Sequence, residues 1–303
     1  MFQPGYIKLY KSGELKKRVE KTVNLMKQCE ICPRRCKVNR LENEKGICKV
    51  GRLPMVSSYN PHFGEESPLV GTQGSGTIFL TSCNLGCIFC QNYDISHLGE
   101  GYEISIERFA KMMIELQNIG CHNINFVTPT HVVPQILEAL PIAVKMGLNI
   151  PLIYNTGGYD AIETLMIIEG IFDIYMPDFK FTDSEIANRY CKARDYPEAA
   201  MKAIKEMHRQ VGDLVINNHG IAERGLIVRH LIMPNELAGT RKVMHFLANE
   251  ISKNTYVNIM DQYHPCGLAH KYPEINRRIT AEEFSKAINI AREEGLIRLD
   301  SIF

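Results

Sequence analysis

Thr77-Ile-Phe-Leu-Thr-Ser-Cys-Asn-Leu-Gly-Cys-Ile-Phe-Cys-Gln-Asn-Tyr93 decides how the rest of the chain is read. The run Thr77 to Thr81 is β-branched or apolar and has the character of a buried strand. It leads directly into Cys83, Cys87 and Cys90, spaced C-x3-C-x2-C, in a chain of 303 residues with ten cysteines. Chance seldom places three so close. Thiolates are soft ligands suited to iron–sulfur clusters or zinc. A cubane cluster has four irons, so three cysteines leave one iron without a protein ligand, and an open iron can bind a small molecule. A structural zinc loop would need a fourth ligand that this stretch lacks.

Outward from the loop, short apolar runs alternate with helical periods. The runs are residues 77–81, 124–127, 150–154, 171–176, 226–232 and 256–259. Ser105 is placed to cap a helix with Phe109, Met112, Met113 and Leu116 inward, stopped by Gly120. Thr280-Ala-Glu-Glu283 predicts a capping box ahead of Phe284, Ile288 and Ala291. Strands alternating with helices imply a parallel sheet. Six repeats predict a mixed α/β fold, a curved, partly open (β/α)6 barrel over residues 71–303. Function then belongs at the C-terminal edge of the strands, where the cysteine loop sits. At the same edge, Tyr154-Asn-Thr-Gly-Gly-Tyr159 puts glycines where backbone can approach a ligand. Asp178 and Lys180, two apart at the end of the fourth strand, face the same way and can grip a zwitterion or a ribose. Arg229 and His230 are adjacent, so at most one faces the barrel interior.

Residues 1–70 read as a separate extension. A helix over 14–28 carries an apolar stripe of Leu15, Val19, Val23 and Met26, with lysines on its wet face. It is followed by Cys29, Cys32, Cys36 and Cys48, spaced C-x2-C-x3-C-x11-C. Four thiolates suit a closed zinc site or a fully ligated cluster, and the residues do not choose between them. Residues 54–76, rich in Pro, Gly and Ser, read as a flexible connector.

A net charge of +1 gives no electrostatic case for nucleic acid or an anionic membrane. No apolar run approaches the roughly 20 residues of a spanning helix, and the start lacks the apolar core of a signal peptide. A cytoplasmic protein is expected, in which clustered cysteines read as metal ligands rather than disulfides.

Cys83-Asn-Leu-Gly-Cys-Ile-Phe-Cys90 resembles the cluster loop of the radical S-adenosylmethionine (SAM) enzymes, including the aromatic Phe89 before the third cysteine. Asn125-Phe-Val-Thr-Pro-Thr-His131, Tyr154–Tyr159, Leu226-Ile-Val-Arg-His230 and Gln262-Tyr-His-Pro265 extend the resemblance to the uncharacterised group related to pyruvate formate-lyase activating enzyme. The resemblance implies a [4Fe–4S] cluster on Cys83, Cys87 and Cys90, with SAM on its open iron. It implies reductive cleavage of SAM to a 5′-deoxyadenosyl radical that abstracts hydrogen from an unidentified substrate. By the same resemblance Asp178 and Lys180 bind SAM, and His264 matches a late SAM-contacting histidine. Asn155, Thr156, Met176 and Asp178 match a small cation site beside SAM. The chain departs from the family where a Gly-Gly-Glu stretch often meets the SAM amino group; it has Thr128-Pro-Thr-His131 instead.

The implied partners are a flavodoxin- or ferredoxin-type electron donor and, in the activating-enzyme reading, the backbone glycine of a glycyl radical enzyme. A non-catalytic iron–sulfur or zinc module, for electron transfer or scaffolding, and a radical enzyme that modifies nucleic acid are the alternatives.

Overall fold

The computed structural model describes residues 2–300. Two helices, α1 (Gly5–Lys11) and α2 (Glu14–Asn24), precede the cysteine-rich loops. Then come β1 (Met55–His62), the single turn α3 (Ser67–Val70), β2 (Ser75–Leu80), β3 (Tyr102–Glu103) and α4 (Ile106–Ile119). The chain alternates onward through β4 (Ile124–Val127), α5 (Val133–Lys145), β5 (Leu152–Thr156), α6 (Ile162–Ile167) and β6 (Ile174–Pro177). Helices α7 (Ser184–Cys191) and α8 (Tyr196–Val211) lead to β7 (Val215–Ile216), β8 (Ala222–Leu231), α9 (Thr240–Phe246), β9 (Tyr256–Met260) and α10 (Ala281–Glu293).

Six strands are parallel, in the order β2-β4-β5-β6-β8-β9. The sheet is open, as expected of a partial (β/α)6 barrel. Its first edge is extended by β1 and β3, both antiparallel. Each of the six predicted runs overlaps an observed strand. The connector reading of residues 54–76 is corrected by β1, which pairs along β2 from Val56–Leu80 to His62–Ser75. The helix read over 14–28 ends earlier, at Asn24. No helix among the described residues is long and apolar enough to cross a membrane.

Local signals explain the helix ends. Ser105 Oγ accepts from Arg108 N, and Gly120 at φ +106° closes α4. Thr280 and Glu283 form both halves of the capping box of α10. Phe109, Met112, Met113 and Leu116 are fully buried against the sheet. The extension shares this core: Tyr6, Leu15 and Met26 belong to the same continuous cluster of buried side chains. A smaller cluster fills one end of the barrel, where Leu69 of α3 meets Ile153, Ile174, Met176 and Ile227 from the strands.

Candidate active site

β2 delivers the cysteine loop to the C-terminal edge of the sheet. Ser82 takes a positive φ of 72°, and its N–H donates to Ile95 O at 3.0 Å, turning the chain out of the strand. Phe89 anchors the loop from below, edge-on to Phe181 and Tyr263 at centroid distances of 5.8 and 6.1 Å. Ile88 is held from both sides: its N–H donates to Tyr190 O, and its carbonyl accepts from Leu268 N. The loop is thus fixed independently of anything its cysteines bind.

Cys83, Cys87 and Cys90 line one open cavity of about 370 Å³, within the range of small-molecule sites. Leu85 N–H donates to Cys83 Sγ at 3.3 Å, and Ser96 Oγ donates to Cys90 Sγ at 3.2 Å. The buried Cys191 donates to Cys87 Sγ at 3.2 Å. Burial pushes the Cys83 thiol up to about 12. Cys87 is raised well above its ordinary range, first by the Cys191 contact and then by burial. Three thiols with sulfur-directed donors, Cys87 buried and Cys83 and Cys90 half-buried, fit a cluster, whose irons would supply the positive charge that keeps them as thiolates. The open cavity beside them provides room for a ligand on a fourth iron.

Opposite the cysteines the strand ends carry a charged lattice. Lys180 Nζ donates to Asp178 Oδ2 at 2.5 Å. Arg229 Nε donates to Asp178 Oδ1 and its Nη2 to Asn155 Oδ1, each at 2.7 Å. Burial alone would raise the Asp178 carboxyl, but Arg229 and Lys180 outweigh it and hold it below the usual carboxylate range. Lys180 is raised despite its burial, by Asp178 and by the nearby Cys87. Glu65 closes the far side, with its carboxylate 3.9 Å from Arg229 and its pKa raised by burial. Of these, Glu65 alone was invisible as a site residue in the sequence. Arg229 was half-seen, since only one of Arg229 and His230 could face inward. His230 takes the other face, between Phe179 O and Thr240 Oγ1 at 2.7 and 2.9 Å.

The remaining sequence candidates are distributed unevenly. Asn155, Thr156, Asp178 and Lys180 all line the cavity. Thr156 does so with its hydroxyl already engaged, donating to Asp160 Oδ2 at 2.7 Å. Thr128 lines the cavity, whereas Thr130 donates to Asp160 and is buried. His131 is buried behind β2 with Nε2 3.0 Å from Thr81 O. Met176 faces the small apolar cluster, and the guanidinium of Arg229 stands between Asn155 and Asp178, where a small cation was expected. His264 is half-buried on the loop after β9, its Nδ1 3.1 Å from Gln262 O; Gln262 rather than His264 is among the lining residues.

The four N-terminal cysteines form a second, separate group. Cys29, Cys32, Cys36 and Cys48 all line one small cavity together with Arg34, Arg40 and His131. Among the described residues, no group of three or more Cys, His, Asp or Glu side chains stands, as placed, so that it could hold a metal ion. That holds for both cysteine groups, so the cavities they line, not ligand distances, distinguish them.

The sequence profile of the radical SAM superfamily matches residues 77–223. An uncharacterized protein of Methanocaldococcus jannaschii is 35% identical over 289 residues, covering 92% of this chain and 78% of its own. Among solved structures, a radical SAM methyltransferase from Sphaerobacter thermophilus superposes with a TM-score of 0.50 at 13% identity, over 73% of this chain and 64% of its own. A maturase of the [FeFe]-hydrogenase gives 0.49 at 10% identity, over 74% of this chain and 49% of its own. At such identities the first likeness shows the fold alone. The chain spans less than two thirds of the length of either solved structure.

Proposed function

This chain belongs to the radical SAM superfamily, and from that premise we propose that it binds SAM in the cavity beside Cys83, Cys87 and Cys90 and uses it to abstract hydrogen from a bound substrate. When bound, the cluster and SAM supply the chemistry: one electron splits the sulfonium and leaves a 5′-deoxyadenosyl radical. The protein's part is to hold and orient. Cys83, Cys87 and Cys90 ligate three irons. Asp178, Lys180 and Asn155 meet the polar groups of SAM, and Arg229 locks Asp178 and Asn155 in place. One observation carries this reading: a largely buried, mutually paired Asp–Lys–Arg lattice faces three cysteines across one cavity. Such a lattice is pre-organised, because its charges hold one another in position before any ligand arrives.

Within this reading the chain is an oxidoreductase akin to pyruvate formate-lyase activating enzyme, and the substrate is a backbone glycine of a partner protein. A flavodoxin- or ferredoxin-type donor supplies the electron. Residues 71–303 carry the catalysis. Residues 1–70 are an extension whose four cysteines share a second metal or cluster. His264 is assigned to SAM by the family resemblance alone. The test is product analysis with a strong reductant: 5′-deoxyadenosine and methionine form in equal amounts from the intact protein. Absence of both from cluster-loaded protein would overturn the reading.

A further inference from the structure

Arg40 is 1% exposed, and its guanidinium lines the cavity made by the four N-terminal cysteines. Nε donates to Gly51 O at 3.2 Å and Nη1 to His131 O at 2.8 Å. Nη2 is buried and has no partner, and no ion pair joins Arg40 to a carboxylate among the described residues. A buried cation without a counter-charge is strongly destabilising. What it faces is sulfur: the four cysteines line the same small cavity as Arg40.

The turns around the cysteines are also shaped toward sulfur. Ile47 N–H donates to Cys36 Sγ at 3.5 Å. Three non-glycine residues, Arg35, Lys37 and Lys49, hold φ between 40° and 60° to make these turns. Left-handed backbone in such residues persists where the surroundings require it. The cavity itself is about 10 Å³, space for a single water-sized body. A cubane of four irons and four sulfides does not fit without driving the cysteines apart.

From these observations we infer that Cys29, Cys32, Cys36 and Cys48 bind one zinc ion as a closed tetrathiolate, with the buried Arg40 as its counter-charge. This rests on the reading above that the four cysteines share a metal, and it names which. Binding releases four thiol protons to solvent and leaves the complex with two negative charges. Arg40 offsets one of them, and Arg34, Lys37 and Lys49 lie on the same turns. The site also braces the catalytic loop. Arg34, between Cys32 and Cys36, donates from Nε to Asn84 O and from Nη2 to Leu85 O, each at 2.9 Å. It further reaches the carbonyl of Cys191 at 3.1 Å and lies 5.2 Å over the Tyr159 ring. Asn84 and Leu85 lie between Cys83 and Cys87, so the zinc turn is fastened to the cluster loop by one guanidinium.

The experiment is metal analysis of the full chain purified anaerobically, with X-ray absorption at the zinc edge. The expected result is one zinc per chain, ligated by about four sulfurs near 2.3 Å, beside four irons. Arg40→Met should weaken zinc retention at least tenfold against a chelator, and Arg40→Lys should restore most of it. Eight irons and no zinc would overturn the zinc assignment while leaving a shared metal centre standing. No metal beyond four irons would overturn both. Neither result bears on SAM cleavage, which is read separately as 5′-deoxyadenosine. If serine variants of the four cysteines do not fold, cobalt exchange into the unaltered chain reads the same site through its thiolate charge-transfer bands.

Discussion

The cysteines at 83–90 and those at 29–48 are the same side chain set in opposite surroundings. The first group stands at the wall of a cavity of about 370 Å³, faced by a charged lattice that has room for a ligand. The second closes on a space of about 10 Å³, faced by an arginine whose Nη2 has no partner. Cysteine number matters less than what lies across from the sulfurs. Three thiols beside open space leave a metal coordination site for chemistry, whereas four around a pinhole leave none.

The sharpest way to break this contrast is to remove one ligand from each group. Cys87→Ala should abolish the SAM-binding cluster and all 5′-deoxyadenosine formation, a loss of at least about 1,000-fold, with zinc retained. Cys32→Ser should remove zinc, spare the cluster's iron, and lower the thermal midpoint by about 5 °C, the effect of about 3 kcal/mol in a chain of this size. Metal content and thermal unfolding of both variants check the division. Loss of the iron cluster in both would merge the two groups into one.

A smaller effect tests the lattice. Asp178→Asn leaves Lys180 and Arg229 buried without their carboxylate, and breaking such a pair costs about 3 kcal/mol. The variant should keep its iron and zinc and bind SAM at least tenfold more weakly, as read by titrating the change in the cluster spectrum. Unchanged affinity would place SAM elsewhere in the cavity.

Acid stability gives a lesser signal, read here in the barrel. Burial holds the imidazole of His230 down to about 4 in the folded chain, whereas the unfolded chain takes up that proton from about pH 6.5. The unfolded state therefore binds more protons between those values, and stability is lost as the pH falls through that window, by up to about 1.4 kcal/mol per unit. Denaturation midpoints of His230→Asn should show a shallower acid slope than the parent. The smallest effect concerns Cys191, whose S–H contact with Cys87 stabilises the reduced, more negative cluster. Its removal in Cys191→Ala should lower the cluster potential by roughly 20–40 mV, the equivalent of about 0.5–1 kcal/mol for one electron.

What was legible in the sequence was local. The C-x3-C-x2-C spacing, the helix caps at Ser105 and Thr280, and the six apolar runs depend on neighbours within a few residues, and each reappears in the fold. β1 escaped because an edge strand buries few of its side chains, and Pro54 and Pro61 gave it the composition of a loop. Glu65 sat in that same misread stretch and reaches the cavity across the sheet, beside Arg229 of β8. The Arg229–Asp178 pair joins residues 51 apart, and Cys191 meets Cys87 across 104. No periodicity encodes such meetings. His264 shows the converse: its loop was placed correctly, but its ring turns back on Gln262, a matter of side-chain packing that position alone does not determine.

The central claim is that the first cysteine group keeps an iron open for SAM. Electron paramagnetic resonance of the anaerobically reconstituted, reduced protein, recorded before and after adding SAM, tests it most directly. The account predicts a cluster signal whose g-values shift on SAM binding, and no such shift in Cys87→Ala. A signal from intact protein that is unchanged by SAM, with no 5′-deoxyadenosine formed, would contradict it and leave a metal-binding module without catalysis.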